Sequence, residues 1–297
     1  MKYNVYIDGQ KSEKKGCIKM KKLLALMLAL VMVFALAACG EKAPVEEVPA
    51  EEVAEEATAE EKVVVVGYTI YEPMNYFDEN NELVGYDTEL AKAVFANLGY
   101  EVLFQEIDWA SKYTDLDSDT IDCVWNGFTA NTADDDGILR SEKVDFSYNY
   151  MENRQVVVAK ADAAIAAAED LNGKIVGGET GSAGETYAAT FEGATFKGAL
   201  KQTDCLLEVK TGAVDAAVVD AQLAKSYVGK GDYADLVIVE ALSSDVEYYA
   251  IGFKKGSELT ALVNAELEKL AADGTIAALA EKYGVATTAI TDFADQK

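Results

Sequence analysis

Ile121-Asp122-Cys123-Val124-Trp125-Asn126-Gly127 and, further along, Val214-Asp215-Ala216-Ala217-Val218-Val219-Asp220 are two apolar runs built alike. Each follows a helical stretch and ends in a polar group. Such an internal echo predicts two similar α/β lobes. From Val63 onward about 235 residues remain, enough for two units near the usual domain size of roughly 100–150 residues.

Outward from these runs, strand and helix signals alternate. Residues 63–66 are all valine, a buried-strand signal. Asp87 is expected to cap a helix whose apolar face is Leu90, Val94 and Leu98 and which Gly99 closes. Residues 102–104 read as a strand, 109–116 as a short helix and 121–125 as a strand. After the apolar run 155–158 the alternation resumes, with strands at 174–177 and 215–219 and helices at 184–191 and 204–210. A strand over 248–253 leads into two amphipathic helices, striped by Leu259, Leu262, Val263, Leu267 and Leu270 and then by Ile276, Leu279, Ala280 and Tyr283. Alternation of this kind predicts parallel α/β sheets.

The N-terminal part reads differently. Met20-Lys21-Lys22 precedes sixteen apolar residues, 23–38, that end in Leu36-Ala37-Ala38-Cys39-Gly40. A basic start, a short apolar core and small residues before a cleavage point are the parts of a secretory signal. A spanning helix needs about 20 apolar residues, which this run lacks. A cysteine directly after the small residues resembles a bacterial lipobox, which implies lipidation at Cys39 as the mature N-terminus. Residues 1–19 fit no such signal and are expected to be a mis-assigned start. Residues 41–62 hold nine glutamates and two lysines among Ala, Val and Pro, the composition of a solvated linker.

Removal of residues 1–38 leaves 19 basic and 50 acidic residues, a net charge near −31. That surface repels nucleic acid and anionic lipid headgroups, so neither is an expected partner. The chain has no histidine. Ser-His-Asp and Cys-His catalytic sets and imidazole zinc sites are therefore excluded, and acid-base chemistry would fall to retuned carboxylates or lysines. Cys123 and Cys205 show no metal-site spacing and are expected as free buried thiols. No metal or cofactor is expected.

Ligands of open α/β sheets bind beyond the carboxyl ends of the strands. Tyr68 and Tyr71 follow the first strand, and Asn126-Gly127-Phe128-Thr129 follow the third. In the second half Thr180-Gly181-Ser182-Ala183-Gly184 precede a helix and Asp220 ends a strand. Free amides at a helix start suit a carboxylate, an acid suits an ammonium group, and Tyr71 suits a packing wall. A zwitterion between two lobes fits that set. Tyr68, Trp109, Trp125 and Phe128 add the expectation of an aromatic lining, and Glu179 hints at a ligand whose side chain is cationic or donates hydrogen bonds.

Six segments, in order, resemble the extracellular solute-binding proteins of polar amino-acid ABC transporters, family 3. They are Tyr71-Glu72-Pro73 with residues 81–91 (NELVGYDTELA), Asp122 to Thr129, Val144-Asp145-Phe146-Ser147, residues 171–177 (LNGKIVG) with Thr180-Gly181-Ser182, Gly212-Ala213-Val214-Asp215-Ala216 with Asp220, and Asp273-Gly274-Thr275 with Lys282-Tyr283-Gly284. The resemblance implies a two-lobed periplasmic-binding-protein-like fold of type II, each lobe a doubly wound, mostly parallel sheet with flanking helices. Lobe one is expected at 63–155 plus 250–297 and lobe two at 156–249, with crossings near 155–159 and 248–250. It also implies that Gly127, Thr129 and Asp220 meet a ligand ammonium, that Thr129, Arg140, Ser182 and Ala183 hold its carboxylate, and that Tyr71 packs on its side chain.

The family places its arginine five residues after the Thr129 equivalent, where this chain has Asp134. Spacing counted back from Phe146 selects Arg140 instead and implies an insertion around residues 134–137. The function so implied is that of an extracytoplasmic, lipid-anchored monomer that passes a free polar L-amino acid to a membrane permease. An enzyme of dehydratase type on the same fold, an amino-acid sensor and an adhesin are the alternatives.

Overall fold

A computed structural model describes residues 62–296. Cys39, the apolar run 23–38 and the linker up to residue 61 lie outside the described residues. None of the described helices is long and apolar enough to cross a membrane.

The first half contains β1 (Lys62–Tyr68), a small hairpin of β2 (Tyr76–Phe77) and β3 (Leu83–Val84), α1 (Tyr86–Asn97), β4 (Tyr100–Glu106), α2 (Lys112–Asp117) behind a 3₁₀ turn at Trp109–Ser111, β5 (Cys123–Val124), α3 (Arg140–Lys143) and β6 (Asp145–Phe146). The chain then runs through β7 (Met151–Asn153) into β8 (Gln155–Lys160), β9 (Ile175–Glu179), α4 (Ala183–Ala188), β10 (Thr195–Ala199), α5 (Gln202–Thr211), β11 (Ala216–Asp220), α6 (Ala221–Tyr227) and β12 (Leu236–Ser243). It returns by β13 (Glu247–Tyr249) to β14 (Gly252–Phe253), α7 (Leu259–Ala272) and α8 (Thr275–Lys282).

Two five-stranded sheets result, ordered β4-β1-β5-β14-β6 and β10-β9-β11-β8-β12. In each, strands joined by helices are parallel: β4, β1 and β5 in one, β10, β9 and β11 in the other. The strands that arrive from the opposite half run against them. β14 is antiparallel to β5 and β6, and β8 to β11 and β12. Both sheets are therefore mixed, because a strand fed by a crossing has no helix behind it to turn it parallel.

The residues expected as a crossing, 155–159, form β8, a buried member of the second sheet. The connection between the sheets is the two-stranded ribbon β7·β13, in which Glu247 pairs with Asn153 and Tyr249 with Met151. The expected single strand over 248–253 is broken into β13 and β14, since Ala250 and Ile251 bend the chain from ribbon to sheet.

Helix α1 shows how its sequence pattern is used. Leu90, Val94 and Phe95 are fully buried, each side chain contributing about 1.5–3 kcal/mol of apolar burial. Asp87 is not its cap. Gly85 holds the N-cap position at φ 127°, and an added Cβ there would lie 2.1 Å from the Met74 carbonyl oxygen. Asp87 sits inside the first turn and points into the protein. Cys123 on β5 and Cys205 on α5 are free and buried, as the sequence reading has them.

Candidate functional site

The carboxyl ends of β5, β9 and β11 meet between the two sheets. There Trp109, Asn126, Gly127, Thr129, Arg140, Glu179, Ser182, Ala183, Gln202 and Asp220 surround about 260 Å³ of space, open mouth included. The enclosed cavity is only about 10 Å³, the room of one water molecule. Six of the seven residues singled out in the sequence are among these. Tyr71 is not. Its ring is buried against Gly127, where an added Cβ would meet Tyr71 Cε1 at 2.7 Å, and its hydroxyl shares a 2.7 Å hydrogen bond with that of Tyr249.

Arg140 lines the cavity, and the reason is local. Residues 133–139 close on themselves through a bridge between Ala133 and Leu139. Arg140 N–H donates to Thr132 carbonyl at 3.1 Å, which returns the chain to the ligand loop. The guanidinium is 1% exposed. Nε donates to Asp134 Oδ1 at 2.8 Å, Nη1 to the Thr129 carbonyl at 3.2 Å and Nη2 to the Gly181 carbonyl at 3.3 Å. A guanidinium has five N–H groups, so two remain for a carboxylate.

Asp134 is thus the counter-ion of Arg140. It also accepts from Lys143 at 2.8 Å and Tyr113 at 2.6 Å. Burial pushes its carboxyl up, but Arg140, Lys143 and Tyr113 outweigh that and hold it at about 2.

Gly127 turns the loop at φ 57°, a left-handed conformation that suits glycine. Its N–H donates to Asp87 Oδ2 at 2.9 Å, and Tyr150 donates to the same oxygen at 2.8 Å. Burial raises the Asp87 carboxyl to about 7. Asn126 is spent on structure, binding the Thr69 carbonyl, the Thr69 hydroxyl and Asn75. Ala130 N–H and Ala250 N–H pair the Phe128–Ala130 stretch with the return crossing, which leaves Thr129 N–H outside that pairing.

From the second sheet, Ser182 caps α4, its hydroxyl accepting Glu185 N–H at 3.2 Å. Ser182 N–H is engaged by the Glu179 carbonyl at 3.2 Å, and Gly181 N–H by Glu185 Oε2 at 2.6 Å. Ala183 opens α4, where amides have no carbonyl one turn earlier to serve them. Asp220 ends β11, 5% exposed, and accepts from the side-chain amides of Asn153, Gln155 and Gln202. Burial raises its pKa.

Two features escaped the sequence reading or were barely visible in it. Glu179 is 3% exposed, its Oε1 has no hydrogen-bond partner, and burial with the nearby Asp220 raises its carboxyl to about 8. Lys112 is 1% exposed, with Nζ 5.1 Å from the Trp109 ring centroid, 4.6 Å from that of Tyr113 and 3.0 Å from the Gly181 carbonyl. Burial and then Arg140 lower it to about 7. Lys112 and Arg140, both carried by the first half, therefore reach the same carbonyl of the second. The expected aromatic lining is reduced to Trp109. Trp125 and Phe128 are core residues with no exposure, and Tyr68 packs edge-on against Phe104.

The site thus offers spare guanidinium donors at one end, a buried carboxylate at the other and an unpaired acid oxygen beside them. Over residues 63–286 the sequence matches the bacterial extracellular solute-binding proteins, family 3. It is 31% identical over 268 residues to the arginine-binding extracellular protein ArtP of Bacillus subtilis (strain 168), a match covering 89% of this chain and 98% of that protein. The L-cystine-binding protein TcyA of the same organism is 30% identical over 270 residues, covering 89% and 97%. Among solved structures, an ancestral arginine-binding protein bound to arginine aligns with a TM-score of 0.68 at 34% identity, covering 74% of this chain and 97% of that one. These relatives are binding proteins of the two-lobed type II fold. The family match over residues 63–286, with relatives of 30% identity or more along nearly their whole length, makes this chain a member of the bacterial extracellular solute-binding proteins, family 3.

Proposed function

We propose that the cleft binds one free L-amino acid with a donor-bearing side chain and that the loaded protein delivers it to a membrane permease. The observation that carries this reading is the opposition of Arg140 and Asp220 across one small cavity. A zwitterion meets both: its carboxylate takes the two spare guanidinium N–H groups with Thr129 N–H, Ser182 and Ala183, and its ammonium takes Asp220, the Gly127 carbonyl and the Thr129 hydroxyl. Tyr71, expected from the sequence to pack on the ligand side chain, backs the Gly127 turn from outside the cavity instead. The side chain itself meets Trp109 and the unpaired oxygen of Glu179, which favours a guanidinium, ammonium or amide over an apolar group. L-arginine, bound by one relative and by the ancestral protein, is the first ligand to test.

The boundaries assigned are 63–155 plus 250–297 for lobe one and 156–249 for lobe two, with the ribbon β7·β13 as the hinge. A cavity of about 10 Å³ admits no amino acid, so binding requires the lobes to part. Closure is then a population shift, stabilised because the ligand contacts both sides. Lipidation at Cys39 and the acidic linker would tether the monomer outside the membrane, near its permease.

A thermal-shift screen of the common amino acids, followed by calorimetry, tests the reading. Stabilisation by at least one donor-bearing amino acid is expected; none by any of them overturns it. A second reading, an enzyme, draws on Glu179 and Lys112, an acid and a base brought near neutrality beside the ligand. We place the protein with the binders, and chromatography after prolonged incubation should recover the amino acid unchanged.

A further inference from the structure

The hinge ribbon carries a second buried acid. Glu247, 7% exposed, lies on β13 opposite Asn153 of β7. Asn153 Nδ2 donates to Asp220 Oδ1 at 2.7 Å and to Glu247 Oε1 at 2.6 Å. Gln155, at the start of β8, donates through Nε2 to the same two oxygens, at 2.5 Å and 2.8 Å. Two amide groups therefore stand between two carboxylates, each giving one N–H to each acid. Gln202 binds the other Asp220 oxygen, and the Thr129 hydroxyl reaches Glu247.

Among the described residues no lysine or arginine forms an ion pair with either acid. The titratable groups that face them are the phenols of Tyr71 and Tyr249, from the loop after β1 and from β13, and the carboxyl of Glu179 at the end of β9. The Arg140 guanidinium lines the same cavity as Asp220 but makes no ion pair with it, so the two buried acids bridged by single amides have no cation in contact. Burial, and for Glu247 the charge on Asp220, push the pair's titration upward.

We propose that Glu247 is a positioning residue of the ammonium site: in the ligand-free protein the amide-linked pair of Glu247 and Asp220 carries one proton, on one carboxyl or the other, and the ligand ammonium displaces that proton. The exchange balances. A bound cation replaces a bound proton, which leaves to solvent, and no covalent bond to carbon changes. Asn153 on β7 and Glu247 on β13 then carry the new charge balance to both strands of the crossing, so that recognition at Asp220 is tied mechanically to the hinge. This inference rests on the amino-acid reading of the site.

The sign of the pH effect follows from competition between proton and ligand. Below the pair's titration the proton must be expelled for the ligand to bind, so affinity falls by up to about tenfold per pH unit. Glu247→Gln keeps an acceptor oxygen for both amides but removes one charge. Calorimetry of the full chain with L-arginine, at about pH 6 in buffers of different ionisation enthalpy, counts released protons. The variant should release about one fewer than the parent, and its affinity should lose the steep fall toward acid. Equal release and equal slopes in the two proteins overturn the proposal. Infrared titration of the ligand-free proteins is the second arm: above the carboxylic-acid absorption that Asp87 and Glu179 give to both proteins near neutrality, the parent should show one carboxyl more than the variant, and equal absorption in the two overturns the bound proton. If L-arginine binds neither protein, the ligand assignment fails while the infrared arm still decides the pair.

Discussion

Arg140→Ala is the sharpest perturbation of the proposed site. Three of the five guanidinium N–H groups are committed to Asp134, Thr129 and Gly181, at 2.8, 3.2 and 3.3 Å. The two left would each make a charge-assisted bond to the ligand carboxylate, at about 1.5–3 kcal/mol apiece. Opening the cleft breaks the Gly181 contact, and the variant is spared that cost, which lowers the net loss to about 3–4 kcal/mol. Converted at about 1.4 kcal/mol per factor of ten, the dissociation constant should rise several hundredfold. The fold should survive, because Asp134 keeps Lys143 and Tyr113, and a thermal melt checks that separately. Arg140→Lys retains the charge but not the fork and should recover only part of the loss. The assay is titration calorimetry with the amino acid that stabilises the parent most. An affinity within twofold of the parent's, in a variant that melts normally, would refute the assignment of Arg140 as the carboxylate clamp.

Glu179→Gln should alter selectivity more than overall affinity, with cationic ligands losing at least tenfold relative to amide ones in competition binding. Gly127→Ala forces a side chain into a left-handed turn and toward Tyr71 Cε1 at 2.7 Å. It should lower the melting temperature by several degrees, about 1–3 kcal/mol, and weaken binding. Asp87 titrates near 7 in the fold against about 3.9 when unfolded. The native state therefore binds the extra proton between those values, and this group's contribution falls as pH rises through that window. Asp87→Asn removes the penalty, so its melting temperature relative to the parent should be higher at about pH 8 than at about pH 5.

The strands and helices were legible where one face alone is buried. The all-valine run, the stripes of α7 and α8 and the echo around Asn126 and Asp220 are local patterns that sit where their period places them, except that Leu262 of the α7 stripe is exposed. Exposed or short elements were not. β10, with an outward Thr195 and Lys197, and β12 take their places from the sheet they join. Asp87 carried a capping signature, but Gly85 alone fits the close approach to Met74, which displaced the cap by two residues. Of the cavity's lining, Glu179 and Asp220 were readable because they end strands, and Gly127 because it follows one. Lys112 was hidden, since a lysine in a polar stretch looks solvated until Trp109 and Tyr113 are folded around it. Glu247 was hidden for another reason: its partners Asn153, Gln155 and Asp220 are far apart in the chain and meet only at the crossing.

The self-closed excursion between Ala133 and Leu139 separates the length of the chain from the location of the arginine. Its tip, residues 135–138, is exposed, while Arg140 is fixed by Thr132 and Asp134 at its base. Residues can therefore be added or removed at the tip without moving the guanidinium, as surface turns generally tolerate. Asp136 pairs with Lys143, and Gly137 and Ile138 hydrogen-bond Asp134, so the natural graft point for a fluorophore or a short reporter peptide is at Asp135.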